Sequence, residues 1–518
     1  MRRFMCTVVW LLLAACQVNP VTGERHLQFY GSDWEQQVGN NYYAPMRQSQ
    51  GGDYRLDPAL TQYVQSVGQK LAAQARRKDE LQFEFRVLND STPNAWALPG
   101  GKIAINRGLL TELKTEAELA AVLGHEIVHA DAAHGARAQS KGVLTQIGAL
   151  AGRVLIESKV DSSAGRQVAA IVPALGAQLL STKYSRDAER EADLYGMQYM
   201  AEAGYDPQGA VQLQETFVRL SEDRRSDWLS GLFASHPPSR ERVALNLETA
   251  AGLPAGGDNG AQRYQEHLAY LHRVKPAYDA YDKAMDAARE EHYDTAQDEL
   301  ETALRIAPRE ALFHALQGDL LAEAQQARGA LAAFNRAVEL DSGFFYHPLR
   351  RGQLRLDQGQ NAAARTDLER SLELLPTAQA HYLLGNLDQG AGRRDAARAH
   401  YEAASRSNTE AGIKAERELI GMDIGSNPGQ YLATGHAADS NGRVYCLIGN
   451  RTRSRLTGIT VNLGFVDDSG AIQRARGTYR EVLPGGQQAS IATGWRTASA
   501  ANLDQRLSCV VSQARLAN

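Results

Sequence analysis

Alternating and helical hydrophobic patterns follow one another in the first third of the chain. The stretch LQFEFRVLND alternates apolar and polar positions as a half-buried strand does, and WALPGGKIAINRGLL then indicates a strand, a turn and a second strand. Thr115 and Glu118 form a capping box, which marks the start of a helix. Leu119, Val122 and Ile127 then recur at helical spacing. Strands and helices mixed in this way predict an α+β domain.

Small residues recur with a regular period in the second half of the chain. Ala296, Ala330 and Ala364 stand 34 residues apart, and a fourth copy, one residue short, begins at Ala397. Twelve positions before each of these alanines stands another small residue, in turn Ala284, Gly318, Gly352 and Gly385. This is the tetratricopeptide (TPR) pattern, in which small residues lie where paired helices touch. An unrelated helical bundle with the same spacing is the alternative.

The first sixteen residues have the pattern of an export signal. Arg2 and Arg3 precede an apolar run that is too short to span a bilayer as a mature helix. The small residues before Cys16 resemble the bacterial lipobox, which implies cleavage before Cys16 and lipidation of that residue. A plain signal peptide that is cleaved nearby is the alternative. Gln17, in place of an aspartate, fits bacterial lipoproteins of the outer membrane.

Short alternating runs return after about Gly425. Gly, Asn, Asp and Pro separate the runs RVYCLIGNRT, LTGITVNLGFVDDSG, GTYREVLPGGQQASI and RLSCVVSQA, which together predict a small β-sandwich. Cys446 lies in the run RVYCLIGNRT, and Cys509 lies in the run RLSCVVSQA. In an exported protein this pair predicts one disulfide, and two free buried thiols are the alternative.

Composition narrows the classes of function. The chain has 518 residues, 43% hydrophobic and 22% charged, which is an ordinary globular composition spread over several domains. Its formal net charge is -4, so no basic excess argues for nucleic acid as a partner. The chemistry therefore has to be sought in local motifs.

The first candidate chemistry lies on the helix that begins at Thr115. In AAVLGHEIVHADAAHG, His125 and His129 stand one turn apart and project from the same face. Two neutral imidazoles so placed can bind one zinc ion, with Glu126 beside the open coordination position as the general base. The alternative is a helix with surface histidines, because the five-residue pattern alone is only suggestive.

A later acidic helix offers the third ligand. In YSRDAEREADLYG, Glu189 can complete a His-His-Glu zinc site, and Asp193, one turn on, can hold the outer ring nitrogen of a zinc histidine. His134 stands one position away from the place where a third histidine would continue the first motif, so we expect it to point away from His125 and His129. A solvated charged helix is the alternative for the acidic segment.

Together these motifs resemble a known family. HExxH followed some sixty residues later by SRxxExxAD is similar to the gluzincin metallopeptidases, which include CAAX prenyl endopeptidases, mitochondrial Oma-type proteases and periplasmic relatives in bacteria. The matching residues are His125, Glu126, His129, Ser185, Arg186, Glu189, Ala192 and Asp193. The resemblance implies zinc ligation by the two histidines and Glu189, with Arg186 and Asp193 supporting the ligands from behind. It covers roughly residues 17–250 and leaves the β-rich tail without a role.

The resemblance also gives His236 a place near the metal. This histidine precedes two prolines, which hold the segment extended. His236 then either steadies the oxyanion of the reaction or fills the fourth zinc position and keeps the enzyme closed. A histidine in a surface loop is the alternative.

A candidate edge strand lies before the zinc helix. Ile103 and Ile105 alternate on a strand that follows the Pro-Gly-Gly turn. An edge strand beside the zinc site can bind substrate as an added strand, and an ordinary core hairpin is the alternative.

These predictions combine into a multidomain chain with an α+β zincin metallopeptidase domain, an α-solenoid of TPR helix pairs and a C-terminal β-sandwich. The expected boundaries are a signal peptide at 1–15, a lipid-anchored metallopeptidase domain at 16–255, a linker at 256–274, about four TPR repeats at 275–412 and the β-sandwich at 425–518.

The function expected of this chain is zinc-dependent endopeptidase activity in the bacterial periplasm. We expect one zinc per subunit and cleavage of misfolded or misassembled envelope proteins. The lipid on Cys16 would hold the chain to the outer membrane, and the repeats would bind clients or the outer-membrane assembly machinery. The alternative is a periplasmic chaperone or assembly scaffold in which the protease is mostly dormant.

Overall fold

The computed structural model describes residues 16–141, 184–222, 236–467, 469–498 and 502–517. The predicted signal peptide lies outside these residues, as does the side chain of Cys16, so cleavage and lipidation stay predictions. No helix among the described residues has both the length and the hydropathy that a membrane crossing requires. The chain divides into two units, Met1–His347 and Pro348–Asn518, and each is described by itself.

The first unit is a mixture of helices with one hairpin and one three-stranded sheet. Its strands are β1 (Cys16–Val18), β2 (Arg25–Leu27), β3 (Glu84–Leu88), β4 (Ala95–Leu98) and β5 (Lys102–Asn106). Its helices are α1 (Ser32–Ser49), α2 (Pro58–Ala72), α3 (Arg107–Leu110), α4 (Glu116–Asp131), α5 (Arg186–Glu202), α6 (Gln208–Glu222), α7 (Arg240–Gly252), α8 (Ala261–Arg289), α9 (Tyr293–Ile306), α10 (Ala311–Glu323) and α11 (Ala327–Leu340). A further helical segment includes residues 134–141.

Helix α4 is the centre of the first unit. Its start is the predicted capping box, in which Thr115 Oγ1 accepts from the Glu118 amide at 3.1 Å and Glu118 Oε2 accepts from the Thr115 amide at 2.9 Å. The helix packs against α2, α5, α6 and strand β4, and all of its side chains are buried. Burial on every side explains why polar residues on this helix need partners of their own.

The three-stranded sheet has the order β3-β5-β4. Strand β5 is parallel to β3 along its full length and antiparallel to β4 from Lys102 to Ile105. Ile103 and Ile105 therefore lie on the central strand, so their assignment to an edge strand is wrong. The edge beside α4 is β4, which is the strand that precedes the Pro-Gly-Gly turn rather than the one that follows it.

Two glycines allow α4 and α5 to cross at very short range. A Cβ atom added to Gly196 of α5 would lie 3.0 Å from the backbone nitrogen of His125. A Cβ atom added to Gly124 of α4 would lie 3.1 Å from the carbonyl oxygen of Gly196. The two backbones thus pack directly against each other, and side chains one or two turns away from the crossing are brought together.

Helices α8 to α11 of the first unit pack in successive pairs, α8 with α9 and α10 with α11, as the 34-residue period predicts. Tyr264 of α8 belongs to the same core as the sheet and α4, and its hydroxyl donates to the Leu110 carbonyl at 2.7 Å. Gly318 lies against the ring of Phe334, so close that an added Cβ would meet it at 2.5 Å. This is the small-against-bulky contact that the repeat pattern predicts.

The second unit continues with helices and ends in strands. Its helices are α12 (Tyr346–Asp357), which begins at the boundary, α13 (Asn361–Leu374), α14 (Ala378–Gly390), α15 (Arg394–Ser405), α16 (Glu410–Asp423) and the short α17 (Leu503–Arg506). Its strands are β6 (Leu432–Ala438), β7 (Arg443–Asn450), β8 (Leu456–Val466), β9 (Ile472–Tyr479), β10 (Gln488–Arg496) and β11 (Leu507–Leu516).

The strands of the second unit form the predicted sandwich. One antiparallel sheet has the order β10-β7-β6 and the other has the order β11-β8-β9. Ile448 of the first sheet and Val461 of the second belong to one buried cluster, so the sheets pack face to face. The predicted fold class, an α+β peptidase domain with TPR helices and a β-sandwich, is confirmed.

The two cysteines of the sandwich are free thiols in the structure rather than the predicted disulfide. Cys446 is buried in the cluster between the sheets, and Cys509 packs against the same cluster. A hydrogen bond between the two side chains raises the pKa of the Cys446 thiol and lowers that of Cys509. The structure therefore shows two free thiols, which was the alternative to the disulfide. Because the two side chains are in contact, a disulfide between them stays a prediction for the oxidised protein.

Candidate metal centre

Four side chains converge beside the crossing of α4 and α5. His125 and His129 project from α4, Glu189 from the first turn of α5, and His236 from the segment before α7. Each offers one donor atom, and these atoms all lie within 4.8 Å of one another. The structure thus brings together the three ligands that the sequence predicts, with His236 as a fourth member.

The donor atoms of the three predicted ligands are evenly spaced. His125 Nε2 and His129 Nε2 are 3.0 Å apart. Glu189 reaches between them, with Oε2 at 3.5 Å from His125 Nε2 and Oε1 at 3.5 Å from His129 Nε2. Burial alone would raise the pKa of Glu189, but His236, His125 and His129 together lower it well below its usual range. The carboxylate is therefore ionised, as a metal ligand has to be.

His236 is buried, with 4% of its surface exposed, so its interpretation as a surface-loop histidine is wrong. Its Nδ1 lies 3.3 Å from His125 Nε2 and 3.0 Å from Glu189 Oε1. Its Nε2 lies 3.6 Å from Glu126 Oε1. One ring nitrogen thus faces the donor cluster and the other faces the predicted general base.

Glu126 follows the first histidine of the motif and lies on the open side of the cluster. Its side chain is buried, and burial raises the pKa of its carboxyl group. Among the described residues, Glu126 Oε2 has no hydrogen-bond partner. A carboxylate with a free oxygen and a raised pKa is suited to accept a proton from a neighbouring group.

Asp193 and Arg242 support the ligands from behind. Asp193 Oδ1 lies 3.0 Å from His125 Nδ1, which is the ring nitrogen that faces away from the cluster. Arg242 donates to both oxygens of Asp193 at 2.7 Å, and its Nη1 lies 3.2 Å from Glu189 Oε2. The guanidinium group of Arg242, on α7, therefore orients the carboxylates of Asp193 and Glu189, which are both on α5.

The supporting arginine is not the one that the resemblance implies. Arg186, at the first position of α5, is exposed and has no contact with the donor cluster among the described residues. The buried part of α5 begins at Ala188, and the two helical residues before it are exposed. Arg242 takes the supporting role, and no local motif predicts it although it stands only six residues after His236.

His134 is outside the donor cluster, but the prediction that it points away from His129 is wrong. The chain turns sharply after α4, where Ala133 adopts a positive φ of 53°, and the next helical segment begins at His134. This turn brings His134 Nδ1 to 2.8 Å from His129 Nδ1. The sequence contains no local signal for this contact, because it depends on the turn.

A narrow cleft lies beside Glu126 and His236. Its walls are mostly apolar and include Val122 of α4, with Ala95 of the edge strand β4 at its border. Other apolar side chains that line it are Met197, Met200, Leu213 and Phe217. An apolar cleft next to a polar cluster is the usual form of a substrate site.

Comparison with known proteins agrees with the geometry. Residues 58–249 match Peptidase family M48, and residues 281–343 match a tetratricopeptide repeat. The M48 match includes α4, α5 and the segment that carries His236, so the donor cluster lies within it. Residues 58–249 are thus similar to Peptidase family M48 and are followed by a tetratricopeptide match, so the predicted resemblance is confirmed.

Several curated relatives share this region. The Putative beta-barrel assembly-enhancing protease of Vibrio cholerae is 30% identical over 227 residues, which are 43% of this chain and 45% of the relative. The Beta-barrel assembly-enhancing protease of Escherichia coli (strain K12) is 32% identical over 215 residues, 40% of this chain and 42% of the relative. The Mitochondrial metalloendopeptidase OMA1 of Arabidopsis thaliana is 33% identical over 193 residues, 37% of each chain. The matches thus span less than half of the length of these relatives.

Proposed function

We propose that this chain is a zinc-dependent endopeptidase of the bacterial cell envelope that hydrolyses misfolded or misassembled envelope proteins. The observation that carries the proposal is the cluster of His125, His129 and Glu189 with Glu126 beside it. The names of the relatives support the setting, since two of those compared are beta-barrel assembly-enhancing proteases.

Zinc fits the donor cluster by chemistry and by spacing. Two imidazoles and a carboxylate are a common zinc donor set in hydrolases. In a tetrahedral site with zinc–ligand bonds of about 2.0–2.1 Å, neighbouring donors are separated by about 3.3 Å. His125 Nε2 and His129 Nε2 are 3.0 Å apart, and each lies 3.5 Å from a different oxygen of the Glu189 carboxylate. We propose one zinc per chain, held by these three residues.

The residues around the zinc site divide the work of hydrolysis. Zinc, when bound, lowers the pKa of water towards about 7 and polarises a carbonyl group. Glu126 accepts the proton of the attacking water and returns it to the leaving amine. Asp193 accepts from His125 Nδ1, which directs the lone pair of Nε2 at the ion, and Arg242 holds Asp193 in that position.

Strand β4 is the surface on which we propose that the substrate binds. It is the edge of the sheet, it lies against α4, and Ala95 at its start borders the cleft. An extended polypeptide that pairs with β4 is recognised through its backbone, so many sequences can bind. This suits an enzyme that removes proteins for their unfolded state rather than for one sequence.

The repeats and the N-terminus complete the proposal. TPR helices present extended surfaces to protein partners, so we propose that they bind clients or the outer-membrane assembly machinery. Lipid on Cys16 would hold the chain to a membrane facing the periplasm, most simply the outer membrane. No contact with nucleic acid is part of the proposal, given the net charge of -4.

A second function has one observation in its favour. His236 Nδ1 lies 3.0 Å from Glu189 Oε1 and 3.3 Å from His125 Nε2, which is the spacing of a fourth zinc ligand. A site with four protein ligands has no position for water. The alternative is therefore a periplasmic chaperone or assembly scaffold whose protease is mostly dormant.

The Glu126→Gln variant tests the proposed activity. The amide keeps the size of the side chain but cannot accept the proton, so zinc should stay bound while hydrolysis of casein falls by several orders of magnitude. The matched control is Glu248→Gln, the same change at an exposed position of α7. Undiminished hydrolysis by Glu126→Gln would show that Glu126 is not the general base. The absence of zinc from the wild-type protein would refute the proposed function.

A further inference from the structure

A chain of polar contacts runs from the N-terminal hairpin to the ligand His129. The nitrogen of His129 that faces away from the cluster, Nδ1, lies 2.8 Å from His134 Nδ1. His134 Nε2 lies 3.4 Å from Glu191 Oε1 on α5. The amide of Asn19, between β1 and β2, donates to the same oxygen of Glu191. These four residues connect three segments that are far apart in sequence.

The first contact has a definite direction. His129 presents Nε2 to the donor cluster, so in a neutral ligand the ring proton sits on Nδ1. His129 Nδ1 therefore donates, and His134 Nδ1 accepts. His134 in turn carries its own proton on Nε2, the nitrogen that faces the carboxylate of Glu191. This tautomer places the Nε2 proton on the side of Glu191, whose Oε1 lies within ion-pair distance but outside hydrogen-bond geometry.

The far end of the chain is held in place by Asn19 and Arg137. Asn19 is 1% exposed and ties its own turn together, because its Oδ1 accepts from the Val21 amide at 2.9 Å and from the Thr22 amide at 3.3 Å. Arg137 Nη1 lies 3.3 Å from the other oxygen of Glu191. Glu191 thus accepts hydrogen bonds from Asn19 and Arg137, which keep its carboxylate from turning towards solvent.

Because His134 is buried, its contact with His129 affects the stability of the ligand's position. His134 has 2% of its surface exposed, so no solvent replaces the acceptor if its side chain is removed. An unpartnered donor at His129 Nδ1 would cost free energy and would allow the imidazole to rotate or to adopt the other tautomer. The matching group behind His125 is Asp193, which belongs to the ligand motif itself.

We propose that His134, Glu191 and Asn19 are positioning residues that fix the tautomer and orientation of the ligand His129. The inference rests on the proposed zinc site. It assigns the N-terminal hairpin a part in metal binding, although the hairpin contributes no ligand.

Zinc affinity of the full chain tests the proposal, measured by competition with a chromophoric chelator. His134→Leu removes the acceptor and should weaken zinc binding about 10- to 100-fold. His134→Gln restores an acceptor and a donor, so its affinity should return to within about threefold of wild type. Asn19→Ala and Glu191→Gln leave His134 in place and should weaken binding by a smaller factor. Asp187→Asn, at a side chain of α5 that is 92% exposed, is the control and should have no effect.

Cobalt in place of zinc supplies a second measurement, because its absorption spectrum reports the arrangement of the ligands. Wild-type and His134→Gln spectra should agree, and His134→Leu should differ from both. Wild-type affinity in folded His134→Leu would overturn the proposal. If His134→Leu does not fold, wild-type affinity in both Asn19→Ala and Glu191→Gln would overturn it instead. Failure of the wild-type protein to bind zinc would refute the proposed function, which is a separate result.

Discussion

The crossing of α4 and α5 leads to a sharp prediction for Gly196→Ala. The new Cβ atom would lie 3.0 Å from His125 N, 3.1 Å from the carbonyl carbon of Gly124 and 3.3 Å from His125 Cα. All three are backbone atoms, so no side chain can rotate out of the way. Because ordinary contact begins at 3.4 Å, the two helices have to separate by about 0.4 Å.

This separation acts directly on the metal ligands. His125 belongs to one helix and Glu189 to the other, and a metal site tolerates displacements of only about 0.2 Å. We therefore expect Gly196→Ala to weaken zinc binding at least tenfold and to lower the free energy of unfolding of the first unit by about 1–3 kcal/mol. The measurements are chelator competition and urea unfolding followed by tryptophan fluorescence.

Gly252→Ala is the matched control. Gly252 is exposed at the end of α7, and no atom lies within 4 Å of its added Cβ. Alanine there should leave zinc binding unchanged and should stabilise the helix by up to about 1 kcal/mol. Wild-type zinc affinity in Gly196→Ala would refute the reasoning, because it would show that the helix separation does not control the ligand geometry.

Three other predictions follow from the structure. His236→Ala should raise casein hydrolysis at equal zinc content if His236 fills the fourth position, whereas a slower variant would favour its oxyanion role and an unchanged rate would contradict both. Burial raises the pKa of Glu126, so its carboxylate takes up a proton at a higher pH than that of an exposed glutamate. As the pH is lowered, kcat/KM should therefore begin to fall while the pH is still above about 4.5. A value of kcat/KM that stays constant down to about pH 4.5 would contradict this. In protein purified without reductant, Cys446 and Cys509 should resist alkylation until a reductant is added, and modification of both beforehand would show two free thiols.

The centre of the metal site could be predicted from the sequence because its signals are local. His125 and His129 are one helical turn apart, and Glu189 and Asp193 repeat that spacing on a second helix. Each helix shows by itself which residues share a face. The sequence does not show directly that the two helices lie side by side. Their close packing at Gly124 and Gly196 places the two pairs of residues next to each other.

The residues behind the ligands could not be predicted in the same way. Arg242 contacts Asp193 across 49 positions, and Asn19 contacts Glu191 across 172 positions. Such contacts depend on how distant segments of the chain pack together, so they cannot be predicted from a short sequence motif. The same reason explains the errors at Arg186 and at the edge strand, because exposure and strand order are properties of the assembled sheet and helices.

The docked hairpin also limits where the proposed peptidase can act. Asn19 is buried against Glu191 and stands only three residues after Cys16, a stretch of chain that spans at most about 11 Å. If Cys16 carries lipid, the peptidase domain has almost no tether with which to leave the membrane surface. Polypeptides would then be cut only where they come within a few nanometres of the bilayer, and proteins free in the aqueous space would be spared by distance alone.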